Sequence, residues 1–374
     1  MPIATASAAI PRPRRESQFG LMWRRFRRHK LAVVSLWVAG LFYLVALLAE
    51  FLAPVEPSAY SARFTYAPPQ GLHFLHHNED GNWQFGPYVY GYKTEIDPVA
   101  LRRTFVIDEA VRLPVSFLVE SKPYRLMGFI PMSVKLMGVE NPRDPFYILG
   151  ADRLGRDMLS RLIHGTRISL SIGVAGVTLS LFFGIVIGGF AGYYGGWFDS
   201  AVMRVIEFIR SMPTIPLWLG LAAALPRDWS ALQTYFAITI ILSLIGWTEL
   251  ARVVRGRFLS LRTEDFVTAA QLDGASDWRI ITRHMVPSFM SHIIAAATLA
   301  IPGMILAETA LSFLGLGLQA PIVSWGTLLQ DAQNIRTLAT APWLLAPGLC
   351  VVVVILAMNF FGDGLRDAAD PHGR

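Results

Sequence analysis

EDFVTAAQLDGASDWRIITRHMVP, residues 264–287, is a charged, largely polar stretch between two long apolar runs, and its reading decides the fold around it. The flanking runs are of bilayer length, so the stretch itself belongs outside the hydrocarbon. It still carries helical patterning on both sides of a break at Asp273-Gly274-Ala275-Ser276, and the second pattern closes at Pro287. A helix–glycine–helix element held against a membrane has a shape suited to docking. A partner-driven membrane machine is therefore the first expectation.

Composition agrees. Charged residues make up 16% of the 374-residue chain, short of the roughly 25% that a water-facing surface carries. The net charge of +6 is unevenly spread. It is densest at Arg12, Arg14, Arg15, Arg24, Arg25, Arg27, Arg28 and Lys30, directly before an apolar run, where the positive-inside rule explains it better than nucleic acid does. Cys350 stands alone, which excludes an intrachain disulfide and argues against a catalytic thiol. The first apolar run is too long for a signal-peptide core and is expected to stay as a membrane span.

Six segments approach the roughly 20 apolar residues of a crossing helix. They are 31–53, 168–193, 202–225, 234–250, 289–311 and 343–361. The third carries Arg204, Glu207 and Arg210 at a spacing of three, on one helix face where they can pair. In the second, Gly184, Gly188 and Gly192 permit close helix approach, and packing within the bundle is the expected use. A cytoplasmic N-terminus puts residues 264–287 and the C-terminus inside, together with Arg252, Arg255, Arg257, Arg262, Arg279 and Arg283. Arg153, Arg156, Arg161 and Arg167 fall outside and run against the rule, with Asp152 and Asp157 offsetting part of their charge.

The domain expectation is a basic N-terminus (1–30), a first helix (31–53), an extracytoplasmic β-rich insert (54–150) and a core (151–374) with five further spans and the 264–287 loop. In the insert, HFLHH and WQFGPYVYGYK flank an Asp80-Gly81 turn, and the period-two series Val115, Phe117, Val119 suggests another hairpin. The fold class is an all-α integral membrane protein of six transmembrane helices with this small insert.

No constellation for covalent chemistry is present. The dipeptide Gly-Lys is absent, which rules out a P-loop, and no nucleophile elbow or zinc-protease motif occurs. His73, His76, His77, Glu79 and Asp80 form the one metal-like cluster. Strand geometry splits its histidines between two faces, so a polar hairpin tip is expected rather than a metal site. Glu308 lies at membrane depth, with Met304 one turn before it. Such a residue either faces the bundle interior or a watery pathway, or sits near the outer interface as a partnered carboxylate.

The 264–287 stretch resembles the cytoplasmic EAA loop of ABC-importer permeases. Thr268-Ala269-Ala270 occupies the triplet, with Thr268 in place of the family Glu. Gly274 follows at the family distance, and His284-Met285-Val286-Pro287 closes the pattern where the family has Ile-x-Leu-Pro. LGADRLGRDMLSRLIHGTRISLSIG (149–173), ETALSFLGLGLQAPIVSWGTLL (308–329), WRRFRRHKLAVVSLWV (23–38) and GLRDAADP (364–371) are similar to the C-type permease of dipeptide and oligopeptide importers.

The resemblance implies a type I importer permease fold in a bacterial inner membrane, with both termini cytoplasmic. It implies a homologous second permease, two cytoplasmic ATPase subunits, a substrate-binding protein, surrounding lipid and no nucleic acid. The chain itself would bind no cofactor, since ATP is used by the partner subunits. Coupling would run through Thr268, Ala269, Ala270, Asp273, Gly274, Asp277, Arg279, Arg283 and Pro287, while Glu308 and Met304 are candidates for the pathway. Relatives of the group also carry oligosaccharides, opine-like solutes or nickel. An ion-coupled carrier would require paired intramembrane charges and inverted repeats, and neither stands out.

Overall fold

The computed structural model describes residues 18–77, 83–96, 103–141, 144–226 and 228–369. The chain opens with α1 (Gln18–Phe26), α2 (Lys30–Leu47) and α3 (Ala49–Leu52), then β1 (His73–His77), β2 (Trp83–Ile96), β3 (Arg103–Leu126) and β4 (Ile130–Val139). Helices α4 (Met158–Tyr194), α5 (Gly196–Ser211), α6 (Thr214–Ala223) and α7 (Ala231–Leu261) follow. Next come α8 (Asp265–Leu272), α9 (Asp277–Arg279), α10 (Val286–Ser288), α11 (Met290–Phe313), α12 (Trp325–Gln330), α13 (Ile335–Thr340) and α14 (Ala346–Ala369).

Among the described residues five helical stretches are long and apolar enough to cross a membrane: α2, α4, α7, α11 and Pro342–Ala369. Helices α5 and α6 qualify only as a pair, bent by 86°. The third span therefore departs from the continuous segment expected over 202–225. Pro213 removes a backbone donor and drives Met212 to extended geometry (φ −85, ψ 140), which breaks the helix there. Arg204 pairs with Glu207 at 3.1 Å, as the spacing suggests, whereas Arg210 reaches across to Glu249 on α7.

Helix α4 starts ten residues before the expected 168, because Asp157 caps it: the carboxylate accepts the Ser160 N–H at 2.7 Å. Residues that read as loop charges thus lie in or beside a helix, and they are paired. Asp152 takes Arg156 (2.7 Å) and Arg161, Arg153 reaches Asp331 at 3.2 Å, and Arg167 clamps Glu50. Asp157 joins none of these ion pairs. Each arginine of the run that opposed the positive-inside rule is thus paired with a carboxylate, Asp152 serving two of them.

At 37 residues α4 is about 55 Å long and runs the depth of the bundle. It packs most extensively on α7. A Cβ on Gly184 would sit 2.7 Å from Leu250 Cβ, one on Gly192 2.6 Å from Phe258 Cβ, and one on Gly188 would overlap the Ala251 carbonyl. The glycines therefore form the seam between α4 and α7.

The insert is an antiparallel meander in the order β1-β2-β3-β4. Gln70 ties it together, donating to the Tyr90 carbonyl (2.7 Å) and accepting the Tyr147 N–H (2.6 Å). Phe64, Tyr92, Phe105 and Tyr147 cluster beneath it. Lys135 of β4 donates to the Ala53 carbonyl at 2.9 Å and fastens the sheet to the end of α3. The expected period-two series holds only in part: Val115 is buried but Phe117 is exposed, beside a backbone twist at Leu118 (φ 56). His73 stacks on Tyr88 with ring centroids 5.3 Å apart. The side chains of His76 and His77, and residues Glu79, Asp80 and Gly81, lie outside the described set.

Two expectations follow. Gly188→Val should destabilise the protein by about 1–3 kcal/mol through overpacking, whereas Gly40→Ala, at a position with open space, should leave the unfolding midpoint in detergent unchanged. Equal midpoints for the two variants would contradict the seam. The second concerns Asp157, whose carboxyl burial pushes from 3.8 up to about 6, against the opposing Ser160 hydrogen bonds and Lys135 charge. The folded state thus holds this proton more tightly than the unfolded chain, and the stabilisation, full below pH 4, is lost as pH rises through 6. Asp157→Asn keeps a cap acceptor and should flatten the fall in stability across that window, a difference of about 3 kcal/mol by pH 7. Parallel pH profiles for variant and wild type would refute it.

Candidate coupling element

Residues 264–287 fold as an element with one buried and one open face. Val267 and Ala270, three apart on α8, turn inward onto Val254, Phe258, Ile280, Ile281 and Met285. Thr268 and Ala269 face solvent, so the two alanines lie on different sides of the helix. After Leu272 the chain reverses. The Gly274 N–H donates to the Gln271 carbonyl and the Ala275 N–H to that of Ala270, both at 3.0 Å, with Gly274 at φ +71. This is a Schellman turn, in which the left-handed position favours glycine and an L side chain costs about 1–2 kcal/mol. A Cβ at Gly274 would meet open space, so the glycine serves the turn and not an internal contact.

Beyond the turn, Asp277 is engaged within the chain. Its carboxylate accepts the hydroxyls of Tyr193 (2.9 Å) and Tyr194 (2.7 Å), the last residues of α4, and Gln271 donates to Tyr193 at 3.2 Å. Trp278 stacks on Phe190 of the same helix, with centroids 6.1 Å apart. The element is thereby braced against the end of α4. A wide π turn, Ile280–Met285, precedes Pro287. Proline lacks the N–H of a regular helix and its ring crowds the carbonyl four residues back, so a widened turn suits this position. The chain breaks at Phe289 (φ −127, ψ 24) before α11 begins.

The open face was not foreseen from the sequence. Leu272 is 85% exposed, Trp278 57% and Phe266 39%. Thr268, Ala269, Asp273, Gly274, Arg279, Arg283 and Pro287 are exposed as well, whereas Ala270 is buried. Apolar residues immediately flanking the Asp-Gly-Ala-Ser break were the available signal. A cavity of about 870 Å³ among the described residues lies at the other end of α4, between the insert and the bundle, where Tyr124, Lys135, Asp157 and His164 line it.

Glu308 and Met304 lie away from the coupling element, inside the bundle. Glu308 is fully buried, accepting Ser312 Oγ at 2.8 Å and Ser169 Oγ of α4 at 3.2 Å. Ser169 Oγ in turn accepts the Trp325 N–H and Ser312 Oγ the Leu318 N–H, so both hydroxyl protons are directed at the carboxylate. Met304 is buried against Gly176 of α4 and Gly246 of α7. Neither side chain reaches the surface of the chain in this conformation, and Glu308 joins α4, α11 and the start of α12.

A family model described as "Binding-protein-dependent transport system inner membrane component" matches residues 184–374, and one described as "N-terminal TM domain of oligopeptide transport permease C" matches residues 17–69. Residues 70–183, which hold the insert, lie outside both matches. The chain is 40% identical over 224 residues to the dipeptide transport system permease protein DppC of Alkalihalophilus pseudofirmus, covering 59% of this chain and 71% of that one. It is 39% identical over 240 residues to the oligopeptide transport system permease protein OppC of Haemophilus influenzae (64% and 75%). With OppC of Escherichia coli it shares 41% over 229 residues (61% and 73%).

The hydrogen bonds at Glu308 make a testable claim. Glu308→Gln leaves one acceptor where two hydroxyls converge, and should lower stability by about 1–3 kcal/mol. Thermal unfolding of the purified protein measures it, and an unchanged midpoint would contradict the bracing role.

Proposed function

The chain belongs to the family of binding-protein-dependent transport system inner membrane components, and on that premise we propose that it is one of two permeases in an ATP-driven importer of dipeptides or oligopeptides. The peptide cargo rests on the dipeptide and oligopeptide transport named for its relatives.

The observation that carries the mechanism is the open face of the coupling element. Leu272 and Trp278 are large apolar side chains held in water on a braced support. An exposed apolar face on a rigid element fits a partner surface. That partner is a cytoplasmic ATPase subunit, seated on α8 with Leu272 as the anchor and Arg279 and Arg283 at the rim. The cytoplasmic assignment of this end draws on its arginines: Arg24, Arg25, Arg27 and Arg28 before α2, and Arg252, Arg257 and Arg262 at the end of α7.

Force applied at α8 has a short route into the membrane. Asp277 pulls on Tyr193 and Tyr194, and so on α4; Val267 and Ala270 bear on α7; Pro287 leads into α11. Closing and opening of the ATPase pair moves these helices as packed units against the second permease, and the solute site is exposed to each side in turn. The second permease seats on the bent third span, where Phe208 and Ile215 are exposed. Glu308 and Met304 keep the wall of the pathway in register. ATP is bound and hydrolysed by the partners, and a binding protein delivers the solute to the insert side.

Leu272→Asp tests this reading. Uptake of a labelled tripeptide by cells expressing the complete importer should fall to background while the variant accumulates in the membrane at wild-type level. Undiminished uptake would overturn the docking role of this face.

A further inference from the structure

The β3–β4 hairpin breaks a local rule at its tip. The Phe129 N–H donates to the Leu126 carbonyl at 3.2 Å, and the two residues between, Met127 (φ 53) and Gly128 (φ 85), both lie in the left-handed region. At a turn position with positive φ, Gly, Asn or Asp is the ordinary choice. A bulky residue there is strained. The chain nevertheless places Met at that position and follows with Phe129 and Ile130. All three are exposed, Phe129 most of all at 67%, with Met127 at 44% and Ile130 at 42%. A hairpin tip meant for water would be polar and unstrained.

Its position explains the choice. Both strands of the hairpin pack against α3, and the Met127 backbone N–H stands beside the Glu50 carboxylate. Glu50 lies 20 residues after Lys30 along α2 and α3, or about 30 Å of helix, the thickness of the hydrocarbon layer. The tip therefore lies level with one membrane surface. Helix α2, which runs into α3, carries an exposed apolar stripe of its own: Trp37, Leu41, Leu44 and Leu47 lie on one side of it. Arg125, exposed at the end of β3, stands where a cation meets lipid phosphate.

We propose that Met127, Phe129 and Ile130 insert into the lipid leaflet on the insert side, making the β3–β4 hairpin a membrane anchor for the sheet. The lipid surface accounts for the strained Met, the exposed Phe and the level of the tip beside Glu50 together. The anchor fixes the floor of the insert against the bilayer while the bundle moves, and it needs no particular cargo or ATPase.

Site-directed spin labelling tests it. Phe129→Cys in a Cys350→Ala background is labelled with a nitroxide, and the full chain is placed in vesicles of phosphatidylethanolamine and phosphatidylglycerol. Trp37→Cys on α2 serves as the lipid reference and Leu272→Cys as the aqueous one. At 129 the label should be relaxed more by oxygen than by a water-soluble nickel chelate, as at 37 and opposite to 272. Relaxation dominated by the nickel chelate would overturn the proposal. So would an immobile label reached by neither reagent, which would assign the tip to a protein surface instead.

Discussion

The close approach of α4 to α7 is the constraint on which the other features depend. Gly184, Gly188 and Gly192 leave no room for a side chain between the helices. In lipid such contact is stabilised by dispersion and by backbone proximity, since burial from water contributes nothing between spans. Because α4 traverses the whole bundle, the seam sets where both its ends stand. One end carries the Asp157 cap and the platform of the insert; the other carries Tyr193 and Tyr194, which hold the coupling element. A shift of α4 along α7 displaces both.

Charges inside the protein serve the same purpose of holding register. Asp199 binds Arg255 with both oxygens and ties α5 to α7. Arg167 binds Glu50 and ties α4 to α3, while Arg161 and Asp152 lock the entry to α4. Of these only Arg161–Asp152 is fully buried, and removing one of its members strands the other in low dielectric, a far larger effect than the net worth of the intact pair. These contacts hold single arrangements, and a transporter that alternates between states must move groups of helices that keep them.

Hydropathy made five of the expected crossings, the insert after the first and the polar element before α11 readable in the sequence, and the Gly274 turn was readable as a break. What could not be read rests on partners distant in the chain. Arg167 looks like a loop charge until Glu50, 117 positions away, is seen beneath it. The start of α4 was misplaced for that reason, since charged residues within a helix suppress the apolar signal. The bend at Met212 follows from Pro213, but hydropathy alone runs through it. The direction of Leu272 was equally hidden: periodicity marks an apolar residue without saying whether its partner lies in the same chain. Among the expected coupling residues, Asp277 turns out to be committed to α4, which composition could not reveal.

The central claim is that the face bearing Leu272 is where the ATPase subunit bears on the membrane helices. Cross-linking tests it most directly, with Leu272→Cys in a Cys350→Ala chain assembled with its ATPase subunits in lipid. A short bifunctional reagent should join residue 272 to an ATPase subunit, and nucleotide should change the yield. Transport that remains intact with no ATPase cross-link at 272, in either nucleotide state, would contradict the account.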